Sequence, residues 1–187
     1  MASEVQICND ALAFIGIPAI VALSDNSKPA RQCNLIFDDK RDYLLRSFEW
    51  KFATIRTNLA PLTAAPAFEW SYQFQLPSNC LKLLYVGDAY GYDYPYKLEN
   101  NKILAEYDVL YIRYTKQVED TNDMDVLFRA ALSAFLTTHL TTALGVKEEY
   151  EKCLEDYETK IADARFAGSI EDPHESIVAE DWLESRL

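Results

Sequence analysis

Between Val126 and Val146 the chain reads VLFRAALSAFLTTHLTTALGV, a run in which Arg129 is the one unambiguous charge. Such a run can go into a bilayer, into a domain core or against a neighbouring subunit, and the destination constrains the rest of the molecule. The preceding residues, DTNDMDVLF, start a water-soluble helix: Asn122 can cap it, and Asp123 and Asp125 set carboxylates against the positive end of its dipole. Gly145 suits the left-handed residue that closes such a helix. The segment reaches the minimum length for a span, but Arg129, His139 and four threonines make it a poor one, and no membrane partner is expected. It is apolar nearly all round, so one antiparallel neighbour leaves part of it uncovered. The N-terminal helices, or another subunit, must cover the rest.

Two helices are predicted at the N-terminus. Ser3 precedes EVQICNDALAFIG with Gln6 three residues on, a capping-box spacing, and Val5, Cys8, Leu12 and Ile15 follow at helical intervals to a stop at Gly16. Asn26 and Ser27 then stand before Pro29, and Cys33, Phe37 and Leu44 carry an apolar stripe to about Ser47.

From Trp50 the period changes. KFATIRTNL, WSYQFQL, CLKLLYV, YPYKL, KILA and VLYIRYT are short, rich in Tyr, Phe, Ile and Val, and predict six strands in an antiparallel meander. Tight turns are expected at Leu76-Pro77-Ser78-Asn79 and Glu99-Asn100-Asn101-Lys102. A last helix, KEEYEKCLEDYETKIADARFAG, carries Tyr150, Leu154, Tyr157, Ile161 and Ala164 alternately four and three apart, and should pack antiparallel on the preceding helix. The reading is therefore an α+β fold: a bundle of N- and C-terminal helices (1–50 and 119–170), an inserted antiparallel β lobe (51–118), and an acidic tail (171–187).

That tail, EDPHESIVAEDWLESRL, holds Ile177, Val178, Trp182, Leu183 and Leu187 as apolar anchors among carboxylates. Such a segment can fold on a partner or pack back on its own subunit, and both remain open. The formal net charge is -12, with 30 acidic and 18 basic residues and no run of Lys and Arg, so an electrostatic grip on DNA is not expected. Cys8, Cys33, Cys80 and Cys153 form no CxxC pair, and with histidines only at 139 and 174 no metal site is expected. MASEVQICND lacks a basic flank and apolar run, which reads as a reduced cytosolic product.

Catalytic signatures are sparse. No phosphate loop is present, and His139 reads as a core or interface group. Asp38 with Asp42, Glu119 with Asp123, or Asp88 with Asp93 could bracket a sugar bond, but spacing cannot show the raised pKa such chemistry demands. Tyr90, Tyr92, Tyr94 and Tyr96 recur every second residue and would share one face of an extended chain, suiting a protein contact or a row of rings stacked on sugars. No catalytic residue and no cofactor is assigned.

Three segments stand in order within Val5 to Leu144: CNDALAFIGIPAIVALSDNSKPARQCNLIFDDKRDYLLRSFEWKFA, FQLPSNCLKLLYV and YIRYTKQVEDTNDMDVLFRAALSAFLTTHLTTAL. Together they resemble the head-to-tail adaptor proteins of tailed bacteriophages, the family of tail tubular protein A and the packaged-DNA stabilisation proteins. Glu49 stands where such proteins often carry a proline, so another turn must join helix two to the first strand. The resemblance implies a structural virion protein at the head-tail junction, made in the host cytoplasm. It would form a ring, usually a dodecamer, beneath the portal protein, extend the DNA channel and offer a platform to tail proteins. Under it, Phe128, Phe135, His139, Tyr150 and Tyr157 are expected between identical subunits. Tyr90, Tyr92, Tyr94 and Tyr96 would meet a tail protein, and Ile177, Val178, Trp182, Leu183 and Leu187 the portal. Outside this family, a glycan- or host-surface-binding module and an acid-base glycan hydrolase remain as alternatives.

Overall fold

The computed structural model describes residues 3–170. Four helices form one body and six strands another, an α+β architecture in which the strands interrupt the helical sequence.

Helix α1, Glu4–Phe14, begins at Ser3, whose Oγ accepts from the Gln6 amide at 3.1 Å, and buries Ile7, Cys8, Ala11 and Leu12 on one face. Gly16, at φ +68°, takes the left-handed conformation that turns the chain out of the helix. The loop that follows is clasped by Asn9, whose side chain both donates to and accepts from the Ile20 backbone at 3.0 and 2.8 Å. Helix α2, Lys28–Ser47, is capped by Ser27 with Pro29 in its first turn, and buries Cys33, Phe37, Leu44 and Leu45.

Helix α3, Val126–Leu144, is the centre of the bundle, packed by α1, α2 and α4. Its cap is Asp125 rather than Asn122: the Asp125 carboxylate accepts from the Leu127 and Phe128 amides at 2.7 and 3.2 Å. Asn122 is three residues too early to reach those amides and bonds to Asp120 instead. Arg129 donates to the carbonyls of Thr121 and Met124, so the helix's one charge ties down the loop leading into it. Buried Thr137, Thr138 and Thr141 turn their hydroxyls to carbonyls of their own helix at 2.7 to 2.8 Å, which removes the cost of burying them. The uncharged run is thus absorbed by its own subunit. Apart from Val126 (65% exposed) and Leu127 in the first turn, α3 keeps little apolar surface for a neighbour. No helix among the described residues is long and apolar enough to cross a membrane.

Gly145, at φ +88°, ends α3, and after a 3-10 turn at Lys147–Glu149 helix α4, Tyr150–Ile170, runs back along it. The face it buries is Cys153, Ile161 and Ala164 with half-buried Tyr157, whereas Tyr150 and Leu154 are exposed. The expected stripe is therefore shifted around the helix in its first turns, where the 3-10 entry sets the phase.

The strands are β1 Thr54–Leu59, β2 Tyr72–Gln75, β3 Cys80–Gly87, β4 Lys97–Glu99, β5 Lys102–Ala105 and β6 Leu110–Lys116. They do not form a meander. Two antiparallel three-stranded sheets, ordered β1-β6-β3 and β2-β5-β4, enclose Phe74, Val86, Ile103, Leu110, Ile112 and Tyr114. Asn100 and Asn101, at φ 46° and 57°, make the β4–β5 hairpin as expected. The Leu76–Asn79 turn instead carries the chain from one sheet to the other. That crossing lets Phe74 and Val86 face a common interior, which a single flat sheet could not provide.

A 3-10 turn at Lys51–Ala53 joins bundle to lobe where a proline was lacking, with the Ala53 amide on the Trp50 carbonyl at 3.0 Å. Trp50 is the pivot. Its Nε1 donates to the Leu44 carbonyl at 2.9 Å, and its ring meets Phe128 edge-on at 5.0 Å, as does that of Phe52.

Candidate interaction surfaces

Carboxylates of two of the three expected pairs make structural contacts. Asp38 and Asp42 both hold the buried guanidinium of Arg41, at 2.8 and 2.9 Å, and Asp42 also accepts from Gln117 at 2.7 Å. Asp88 accepts from the Tyr90 and Tyr92 amides at 2.8 and 3.0 Å and so shapes a loop. Among the described residues no group of His, Cys, Asp and Glu is placed to hold a metal ion. Cys8 and Cys33 are buried side by side between α1 and α2, and their mutual hydrogen bond, reinforced by burial, pushes the Cys8 thiol far up. Burial also raises Cys80 and Cys153. The hydrogen bond from Cys8 lowers Cys33, which is fully buried.

His139 lies beside Phe135, ring centroids 4.9 Å apart and edge-on, and burial followed by the Lys40 charge pulls its pKa down, keeping the imidazole neutral. Of the residues expected between subunits, Phe128 is excluded, being 0% exposed beneath Trp50 and Phe52. Phe135, His139 and Tyr157 do come together on the bundle's flank. Phe135 stacks on Tyr43 at 5.6 Å and packs against Tyr157 at 4.9 Å, with the Lys40 ammonium 5.8 Å from its ring. Tyr43, 63% exposed, is the outward member of this cluster. It lies off the apolar stripe of α2, which is why sequence periodicity passed over it. Tyr150 is exposed but lies at the start of α4, outside these ring contacts.

The four tyrosines do not share a face. The segment is a loop, pinned by Asp88 and turned by Gly91 at φ +99°, with one bridge from Gly87 to Asp93. Tyr90 and Tyr92 stand at its tip, 89% and 72% exposed. Tyr94 folds back to stack on Tyr107 at 3.6 Å, while Tyr96 stays on the surface. Phe68 in the lobe, and Leu35 and Phe166 on the bundle, add exposed apolar groups. Ile177, Val178, Trp182, Leu183 and Leu187 lie outside the described residues.

One feature goes beyond the sequence reading. Arg56 on β1 stands opposite Arg113 on β6, and Lys82 on β3 opposite Thr115, so three cations share the outer face of the first sheet. With Lys51 they line a groove of about 770 Å³ in which Glu49 is the one acidic lining residue among the described residues. The three are scattered over 58 positions of sequence and meet only through strand pairing. Their one local signal was an Arg at an outward position of TIRTNL and of LYIRYTK.

No protein-family model matches this sequence, and no curated protein does.

Proposed function

We propose that the chain is a structural subunit of a tailed-bacteriophage head-tail junction, an adaptor that assembles as a ring under the portal and carries later tail proteins. The observation that carries this reading is the distribution of exposed large apolar side chains. Leu35, Tyr43 and Phe166 mark the bundle, and Phe68, Tyr90 and Tyr92 mark the lobe. A ring subunit needs two unlike flanks for its neighbours and a further surface for the next protein along the axis. The resemblance over Val5 to Leu144 supports the same role.

The placement changes how neighbours would meet. With α3 satisfied inside the subunit, the ring contact falls to the flank of Tyr43, Phe135, His139 and Tyr157 and to Leu35, while the tyrosine tip at 90 and 92 is the platform for a tail protein. The anchors Ile177, Val178, Trp182, Leu183 and Leu187 engage the portal. An acidic subunit lets DNA pass through the lumen without sticking.

The deciding measurement is the native mass of the chain alone and mixed with portal rings. A portal-bound ring is expected, weakened by a Tyr43→Asp substitution, and a chain that leaves the portal mass unchanged overturns the reading. A second reading rests on the Tyr90 and Tyr92 pair, held at the backbone by Asp88, whose exposed rings could stack on sugars. Glycan-array binding that a Tyr90→Ala, Tyr92→Ala double variant abolishes would favour it over assembly.

A further inference from the structure

The outer face of the β1-β6-β3 sheet concentrates positive charge in a chain whose formal net charge is -12. Like charges directly opposite one another destabilise a sheet, so the Arg56 and Arg113 pair calls for an anion between them. None of the ion pairs among the described residues engages Arg56, Lys82 or Arg113. Arg113 Nε is buried and lacks a hydrogen-bond partner, an unmet donor aimed by its strand into this face.

The far wall of the groove belongs to α2's end and to α4. Gly168 and Ser169, in the last turn of α4, line it together with Phe48. Arg165 lies over the Phe48 ring at 5.7 Å, which fixes the end of the helix at this place. The described part of α4 reaches Ile170, next to Gly168 and Ser169 on the wall of the basic groove. The acidic residues that follow in sequence are Glu171, Asp172 and Glu175, in a segment with six acidic side chains and one arginine, Arg186. Five extended residues reach about 16 Å, and three neighbouring strands are about 10 Å across, so this short acidic stretch is long enough to cover all three cations.

We propose that the groove is the docking site of the chain's own acidic segment, with Glu171, Asp172 and Glu175 paired to Arg56, Lys82 and Arg113. Docking in this way holds the root of the tail on the subunit that carries it and leaves Ile177 to Leu187 to reach a partner. The pairing is a property of the isolated chain and stands whether or not the chain forms a ring.

Carbodiimide coupling of the full-length chain at low salt, read by peptide mass spectrometry on the monomer, tests it. Amide links from Lys82 or Lys51 to Glu171, Asp172 or Glu175 are expected, falling about fivefold in about 0.5 M salt, where the Debye length drops to a few ångströms. They should fall as far in an Arg56→Gln, Arg113→Gln double variant whose circular dichroism is unchanged. If that variant does not fold, Arg56→Gln alone, at an exposed position, gives the same readout. Links confined to residues 3–170, or tail links indifferent to salt and to both substitutions, overturn the proposal. Added polyglutamate should displace the tail links. A short DNA oligonucleotide that displaces them where polyglutamate does not would assign the groove to nucleic acid and overturn it as well.

Discussion

The bundle and the lobe are built to different standards of completeness. In the bundle, buried hydroxyls are returned to their own helix, Arg41 is held by two carboxylates, and the long uncharged run is largely covered by its own subunit beyond its first turn. Among the described residues the lobe, with the smaller interior, leaves Trp70 Nε1, Arg113 Nε and Thr115 Oγ1 buried without partners, whereas the bundle leaves His139 Nε2. It also carries the tyrosine tip and the basic face. A region finished by its own sequence provides stability, and a region left partly unsatisfied provides places for something else to bind.

The largest expected effect tests the first half of that contrast. Phe128→Ala removes the ring on which both Trp50 and Phe52 rest, and should cost about 3–5 kcal/mol, read as a lower denaturation midpoint for the whole chain. Phe74→Ala deletes an equally buried ring in the lobe, with a loss near the lower end of that range, about 3 kcal/mol. Its signature should be local: faster amide exchange in β2 and β5 while α3 stays protected. Equal loss of protection in α3 would show that the two interiors melt together, and the contrast would fail.

A smaller effect checks the entry to the central helix. Asp125→Ala should cost about 1 kcal/mol in chemical denaturation, whereas Asn122→Ala should change stability by roughly 0.5 kcal/mol or less. The smallest effect concerns His139. Its folded pKa lies below the ordinary value of 6.5, so the unfolded chain binds the proton more readily. The stability this contributes is present above pH 6.5 and is lost as the pH falls through 6.5 toward the folded pKa. Replacing His139 with Gln should flatten that part of the stability-pH curve measured by thermal melts.

The helices were legible because their signals are local. Ser3, Ser27, Pro29, Gly16 and Gly145 act within a turn of where they stand, and their placement followed from spacing. Asp125 was missed as a cap because three candidate side chains crowd the same few residues and only backbone geometry separates them. In the lobe the strands lay near their expected positions, but their partners did not follow, because pairing depends on which apolar faces find a common interior rather than on chain order. The same limitation hid Arg56 beside Arg113. The shielding of α3 was invisible for a related reason: periodicity shows that a helix must be covered, and the folded arrangement shows that α1, α2 and α4 suffice.

The pairing of β1 with β6 puts the lobe's way in and way out side by side, Thr54 across from Thr115. Facing residues on such strands are only about 5 Å apart, so a brief splice from 53 to 116 could bypass the lobe without rerouting any helix. A different β module could be inserted at the same doorway. Lineages and engineers alike can then exchange what the protein displays while keeping the frame that displays it.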